Sequence, residues 1–297
     1  MRGEPRGDAV MKVGVVGIGK MGRPIAERLI AAGHEVAICN RSDNAGVRAL
    51  RERGATVLAT PAELAARSDV VLTALPTEET VRQVYDDMSA VASSGQLYAD
   101  HSTVSPGLNR HCAEILAEHG AQFLDAPVSG GPAGAEAGSL TVMVGGDEAT
   151  FNRAVPVFEA FGGKIRLCGG VGAGQVIKLV NQYLVAVHTL AASEAAALAV
   201  RLGADLGTVQ DVIGTSFGSS AMLLRDLPRF IARDFSPATP VGLIAKDLSI
   251  IHSEAKEAGV PLLLGGLVEQ FYLEAKARGW TGEDMAALVK LWDRQAG

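Results

Sequence analysis

Lys178, Asn181 and Gln182 stand out because they are polar where their neighbours are not. They lie in VGAGQVIKLVNQYLVAVHTLAASEAAALAVRLG, residues 171–203, a run dominated by alanine, leucine and glutamate. Such residues favour a helix, and at i, i+3 and i+4 the three polar side chains share one of its faces. The run is otherwise apolar nearly all round, so the helix is expected to be buried. A lysine facing inward needs a partner or a task, because an uncompensated buried charge is costly. Its amine can exchange a proton with a reacting hydroxyl or carbonyl if burial and a second cation bring its pKa toward neutrality. The plainer alternative is a lysine that extends its stem along the helix end and keeps its amine in water.

Two further stretches carry chemistry. Asp125-Ala126-Pro127-Val128-Ser129-Gly130-Gly131-Pro132 follows a short apolar strand pattern. Glycines there, beside a serine hydroxyl, expose amide donors that can hold a carboxylate. Nearer the start, Gly17-Ile18-Gly19-Lys20-Met21-Gly22 follows the apolar run MKVGVVGI and opens RPIAERLIAAG. Strand, glycine-rich turn, helix and second strand make a dinucleotide-binding βαβ unit. Gly17 makes the tight turn, Gly19 lets a pyrophosphate approach the backbone, and Gly22 lets helix and strand pack closely. The helix N-terminus offers amides and a positive dipole end to the phosphates. The second strand ends in Cys39-Asn40-Arg41-Ser42, where an NAD site usually carries an acid for the ribose 2′-hydroxyl. An arginine there can stack on adenine and pair with a 2′-phosphate, which predicts NADP as the preferred cofactor, with NAD possible.

The elements that must position these groups alternate. Strands are expected at residues 11–18, 34–41, 57–60, 69–75, 96–100, 122–125, 139–144 and 164–168. Helices are expected at 61–66, 78–87, 105–119 and 147–161. Ligands bind beyond the carboxyl ends of parallel strands, so Leu75-Pro76 and Ser102-Thr103 are candidates to line the cofactor. After Gly203 the strand pattern stops, and residues 206–214, 221–227, 241–258, 261–278 and 282–292 read as helices. The fold class is therefore α/β, with an N-terminal Rossmann-type domain at 11–170 and an all-α C-terminal domain at 171–297 for substrate and oligomerisation. Residues 171–203 form the interdomain helix. At ~27 residues it spans about 40 Å, long for a globular helix, so it is expected to cross between two packed bodies.

Composition narrows the class. The chain of 297 residues is 48% apolar and carries a net charge of −6 with no basic run, which gives no support to nucleic acid or an anionic membrane as a partner. Three cysteines far apart suit a reducing, cytoplasmic setting. The six histidines form no cluster with them, so no metal site is evident. Residues 1–10 are polar and too short for a signal peptide. Residues 183–200 come nearest to a membrane span, but His188, Ser193 and Glu194 interrupt them, which reads as protein core. Leu262, Leu263, Leu264, Phe271 and Tyr272 give the helical half more apolar surface than one small domain needs, so a homodimer or homotetramer is expected.

The chain resembles the β-hydroxyacid dehydrogenases, from Met11 to about Trp292. Four motifs in order carry the resemblance: Gly17-Ile18-Gly19-Lys20-Met21-Gly22, Asp125 to Gly131, Gly172-Ala173-Gly174-Gln175-Val176-Ile177-Lys178-Leu179-Val180-Asn181-Gln182, and Ala245-Lys246-Asp247-Leu248. The resemblance implies an NAD(P)-dependent enzyme that interconverts a short β-hydroxy acid and its semialdehyde or keto acid. It implies Lys178 as the general acid and base, Asn181 as a substrate holder, and Ser129, Gly130 and Gly131 as the carboxylate cradle. Lys246 would lie by nicotinamide and substrate, supported by Asp247, and would be the second cation for Lys178. Pro76 and Thr103 would contact the cofactor. The similar imine reductases usually lack this lysine, which sets that reading, and a non-catalytic dinucleotide-binding protein, behind the dehydrogenase. Many relatives carry a phenylalanine shortly before the Lys-Asp-Leu motif, where this chain has Thr239, and residues 216–220 read SFGSS. Both features favour a polar substrate such as a hydroxylated sugar acid or tartronate semialdehyde over 3-hydroxyisobutyrate.

Overall fold

The structure, a computed structural model, describes residues 10–40, 42 and 44–293. The leading residues 1–9 and Arg41 lie outside the described residues. The chain forms two compact units that divide between Lys178 and Leu179.

In the first unit β1 (Lys12–Val16), α1 (Gly22–Ala31), β2 (Glu35–Cys39), α2 (Ala45–Glu52), β3 (Thr56–Val57), α3 (Pro61–Ala65), β4 (Val70–Thr73) and α4 (Glu78–Ser89) follow one another. Then come β5 (Leu97–Asp100), α5 (Pro106–Ala117), β6 (Gln122–Asp125), β7 (Val128–Ser129), α6 (Gly131–Ala137), β8 (Leu140–Gly145), α7 (Glu148–Glu159) and β9 (Gly162–Gly169). The sheet runs β3-β2-β1-β4-β5-β6-β8-β7, with β9 on β8. Strands β1 to β6 pair in parallel in the doubly wound order of dinucleotide folds. Strand β8 turns antiparallel to β6 and β7 and parallel to β9.

The central strands read as unbroken apolar runs because both of their faces are covered. Val13 and Val15 of β1 and Val70 and Leu72 of β4 enter one core with Ile25, Leu29, Ile38 and Phe158. Their neighbours Val16 and Val71 point the other way, into a core with Tyr85, Tyr98, Leu108 and Phe123. This is the strand alternation expected of a sheet layered between helices.

Helix α8 (Ala173–Arg201) begins in the first unit and continues into the second. The second unit is helical, with α9 (Leu206–Gly214), α10 (Ala221–Ala232), α11 (Val241–Glu257) and α12 (Leu263–Ala277). Leu248, Val268, Tyr272 and Leu288 are fully buried in its main core.

Several expectations need correction. Helix α8 is buried along part of its surface only: Gln175, Lys178, Gln182, Ala186 and Leu190 are buried, but Val176, Ile177, Val180, Leu184, Leu198 and Val200 are exposed in the single chain. Helices α2 and α6 escaped the sequence reading. Asn44 caps α2 by accepting the Val47 amide, and Val47 and Leu50 are its buried face. Helix α10 runs through Pro228 to Ala232, past the expected stop at 227, because the buried Leu227 and Phe230 hold the last turns to the core. Residues 282–292 do not form an α-helix: 3-10 segments occupy Trp280–Gly282 and Met285–Trp292. Their junction is fixed by Asp284, whose carboxylate is gripped by Arg225 and by the amides of Ala238, Thr239 and Ala286. Tertiary bonds, rather than helical propensity, set the start of that last segment. Tyr272, expected on an oligomer surface, is wholly buried, and Phe271 stacks on Trp292.

Candidate active site

The glycine-rich turn leaves β1 and enters α1. Gly17 has φ +94°, and a Cβ there would stand 2.5 Å from the Ala74 carbonyl oxygen. A Cβ on Gly22 would come within 2.0 Å of the Gly17 oxygen, so only hydrogen lets the helix start against the turn. Gly19 faces open space, with nothing within 4 Å of where a Cβ would be. No side chain caps α1 and no acid stands in its first turn, so its N-terminal amides and dipole remain suited to an anion. Lys20 is exposed and Met21 half-buried along this edge. Asn40 braces the turn by accepting the Ile18 amide at 3.0 Å and donating to the Ser42 carbonyl at 2.9 Å. The remaining rim comes from the ends of β4 and β5. The Leu75 amide donates to Ser102 Oγ at 2.9 Å, and Ser102 Oγ donates to the buried Asp100 carboxylate at 2.6 Å. Leu75, Pro76 and Thr103 thus sit on loops that are tied together, with Leu75 and Thr103 half-buried and Pro76 exposed.

Behind this rim His101 is buried between Phe158 and Phe161, edge-on to both rings. Its Nδ1 meets the Ala126 carbonyl at 2.6 Å. Burial lowers its pKa, so the ring is neutral near pH 7 and acts as a strut.

The Ser129-Gly130-Gly131 loop follows β6. Ser129 is half-buried and Gly130 exposed, with φ +127° at Gly130 and +63° at Gly131. This backbone is strained for other residues and turns the chain into α6. Lys178 comes to this loop. Its side chain is 8% exposed, and its Nζ donates to the Val128 carbonyl at 2.7 Å. The lysine therefore does not extend to solvent, and the inward reading holds.

The next turn of α8 belongs to the second unit. Asn181, half-buried, donates to Gln182 Oε1 at 3.0 Å. Gln182 is buried and donates to Asp247 Oδ2 at 2.6 Å, and Lys246 Nζ pairs with Asp247 Oδ1 at 2.9 Å. Asn181, Gln182, Asp247 and Lys246 form one polar chain from α8 to α11. The residues of SFGSS play a different part: Ser216 Oγ donates to the Val212 carbonyl and Ser220 caps α10.

Comparison with known proteins fits this arrangement. Residues 12–170 match the NAD binding domain of 6-phosphogluconate dehydrogenase, and residues 172–292 match the NAD-binding domain of NADP-dependent 3-hydroxyisobutyrate dehydrogenase. The 2-(hydroxymethyl)glutarate dehydrogenase of Eubacterium barkeri is 36% identical over 97% of this chain and 96% of its own length. The chain belongs to the β-hydroxyacid dehydrogenase family. It is an NAD(P)-dependent oxidoreductase of short β-hydroxy acids. The L-threonate dehydrogenase of Cupriavidus necator is also 36% identical, over 94% of this chain and 95% of its own. The solved Mycobacterium tuberculosis 3-hydroxyisobutyrate dehydrogenase with L-serine superposes with a TM-score of 0.88 at 34% identity, covering 96% of this chain and all of that one.

A dinucleotide fits the first unit of this dehydrogenase on its own geometry: an open approach at Gly19, a helix end without a side-chain cap, and the neutral Asn40 bracing the turn. The sequence reading singled out Gln182 and quoted Asp125 and Gln175 inside its motifs, but gave none of the three a partner. Asp125, Gln175 and Gln182 are all buried, and their bonds join positions up to 73 residues apart, as between Gln175 and Ser102. Their one sequence signal was a polar side chain in an apolar stretch.

Proposed function

We propose that this dehydrogenase interconverts a polar β-hydroxy acid and its semialdehyde with NADP, using Lys178 as acid and base. The observation that carries the reading is the contact between Lys178 Nζ and the Val128 carbonyl, beside Ser129, Gly130 and Gly131. It puts the one buried amine of the Gly172 to Gln182 motif next to the loop suited to a carboxylate. The cofactor, when bound, supplies or accepts the hydride. The chain does the rest. The backbone donors of 129–131 and the Ser129 hydroxyl hold the acid group. In reduction Lys178 Nζ gives its proton to the oxygen as hydride arrives, and in oxidation it takes the hydroxyl proton back. Asn181 orients the substrate, and Lys246, held by Asp247, is the second cation.

Preference for NADP rests on the sequence Asn40-Arg41-Ser42. Asn40 is neutral and its amide is spent on the loop, and Arg41 supplies the cation for a 2′-phosphate. NAD is accepted less well. A polar substrate is supported by Thr239, whose backbone amide is pinned by Asp284 at 2.9 Å, and by the polar acids named for the relatives above. Ser216 and Ser220 no longer support it, because their hydroxyls serve local helix ends. We assign a homodimer or homotetramer, supported by the exposed Val176, Val180, Leu198, Leu263, Leu264 and Leu267. Among the described residues α8 is the one helix long and apolar enough to cross a membrane. Its Gln175, Lys178 and Gln182 are buried and bonded to other elements of the chain, which favours a place inside the fold. Three free cysteines favour the cytoplasm.

The test is a set of initial rates with NADPH and NADH against glyoxylate and succinic, tartronate and methylmalonate semialdehydes. L-threonate, L-serine and 3-hydroxyisobutyrate are run in reverse. NADPH turnover of a polar member is expected. NADH preference would overturn the Arg41 reading alone, and silence on the whole panel would overturn the substrate reading.

A further inference from the structure

Asp125 opens the Asp-Ala-Pro-Val-Ser-Gly-Gly motif, yet the chemistry above gives it no task. It is wholly buried at the end of β6. Its Oδ1 accepts the Gly172 amide at 2.6 Å and its Oδ2 accepts the Gln175 amide at 2.9 Å. These amides belong to the N-terminal end of α8, so the helix is capped by a carboxylate from a strand 47 residues earlier in the chain. The fit admits nothing larger. A Cβ on Gly174 would stand 2.8 Å from Asp125 Oδ2 and 2.3 Å from the Met143 oxygen, and one on Gly145 would stand 2.2 Å from Asp125 Oδ1. Gly174, with no side chain, lets the carboxylate in.

Gln175, in the same turn, is also wholly buried and ties α8 to the cofactor side. Its Nε2 donates to the Ser102 carbonyl at 2.7 Å and its Oε1 accepts the Val104 amide at 3.4 Å. One turn further on, Lys178 Nζ reaches the Val128 carbonyl. Asp125 and Val128 lie in the same short segment, so that segment grips α8 at its first amides and again at its lysine.

We propose that Asp125 and Gln175 are positioning residues for Lys178: they lock the first turn of α8 against the 102–104 and 125–131 loops and so fix the lysine amine between cofactor rim and carboxylate cradle. The inference rests on the reading of Lys178 as acid and base. Its physical basis is that proton transfer and hydride transfer must meet at one carbon–oxygen bond, and an error near 1 Å in a reacting group costs about 100-fold in rate. A helix end held only by its own backbone frays; a buried carboxylate on two of its amides, with a side chain stitched to a neighbouring loop, does not.

Asp125→Asn keeps the shape of the side chain and turns one acceptor into a donor facing an amide. Gln175→Met keeps the volume and removes the stitch to Ser102. Each variant, once its circular dichroism and cooperative melt show it folded, is expected to lose about 10- to 100-fold in kcat. KM and the NADPH dissociation constant should stay within about threefold, because cradle and glycine-rich turn are intact. Amide exchange at Gly172 and Gln175 should quicken in Asp125→Asn, and acylation of the Lys178 amine, read by peptide mass spectrometry, should quicken in both. A folded Asp125→Asn with wild-type kcat at temperatures below its melt would overturn the proposal. So would a kcat loss in both variants that leaves the exchange and the Lys178 acylation rate unchanged. If Asp125→Asn fails to fold, Gln175→Met decides by the same kcat and acylation readouts. A wild-type protein inactive on every hydroxy acid and semialdehyde would defeat the functional reading instead; amide exchange and Lys178 acylation would then decide whether the brace sets the lysine.

Discussion

Lys178→Met should leave a folded protein that binds cofactor and turns over almost nothing. Methionine keeps an unbranched apolar stem of similar reach and removes the amine. Two terms compete in stability. The Val128 carbonyl loses the donor now 2.7 Å away, a cost of about 1–3 kcal/mol for a buried acceptor. Against this, the site with its 8% exposed lysine no longer has to hold an ammonium out of water, a relief of several kcal/mol in order of magnitude. The terms oppose, so the melting temperature should move by about 4 °C or less. The rate has no such compensation. A positioned proton donor contributes about 10²- to 10⁴-fold, equivalent to about 3–5 kcal/mol of barrier. Steady-state rates at saturating NADPH and variable semialdehyde give kcat and KM, and a fluorescence titration gives the cofactor affinity separately. Lys178→Arg adds a control, because guanidinium keeps its charge but does not release a proton near neutral pH. If Lys178→Met keeps kcat within about threefold of wild type, the lysine is not the acid and base. If Lys178→Arg works and Lys178→Met does not, its role is charge rather than proton transfer.

Gly19→Ala should melt like wild type without cofactor, since nothing lies within 4 Å of its added methyl, and should bind NADPH about tenfold or more weakly; unchanged affinity in the same titration would remove Gly19 from the phosphate site. Gly22→Ala should lower both stability and affinity, because its methyl would meet the Gly17 oxygen at 2.0 Å, and a wild-type melt would contradict the packing described. Burial pushes the Asp226 carboxyl up to about 6, although Arg225 draws it down. A raised carboxyl stabilises the fold while protonated; that contribution is full below its unfolded value of 3.8 and is lost as pH rises through about 6. It amounts to about 3 kcal/mol across the window, so urea midpoints of wild type should fall from about pH 4 to 7 while Asp226→Asn stays flatter; parallel curves would refute the assignment. Gln182→Leu leaves the buried Asp247 with one hydrogen-bond donor fewer and should cost about 1–3 kcal/mol by urea unfolding; a cost near zero would show that this polar chain carries no stability.

The sequence by itself determined the architecture and the family, and it singled out Lys178 as the candidate acid and base. Strand and helix periods are local, so Val70, Val71 and Leu72 announced a strand, and Gly17, Gly19 and Gly22 announced a phosphate turn that the structure builds with an open approach at Gly19 and no spare space at Gly22. Lys178 was conspicuous for a polar side chain in an apolar run. Local pattern could not show where α8 would be covered. Its apolar composition promised burial on every side, yet Val176, Val180 and Leu198 face outward in the single chain, because composition records how apolar a surface is but not whether this chain or another covers it. Pro228 misled in the opposite sense, since the packing of Leu227 and Phe230 outweighs one lost backbone bond. Above all, tertiary structure decided how the lysine is held. Asp125 meets Gly172 and Gln175, Gln175 meets Ser102, and Gln182 meets Asp247. Each bond joins residues far apart in the chain, and a hydrogen bond across such a distance leaves no period or spacing in the sequence. It exists only because the sheet order brings the ends of β5 and β6 to the start of α8, and because α11 packs beside the next turn of that helix.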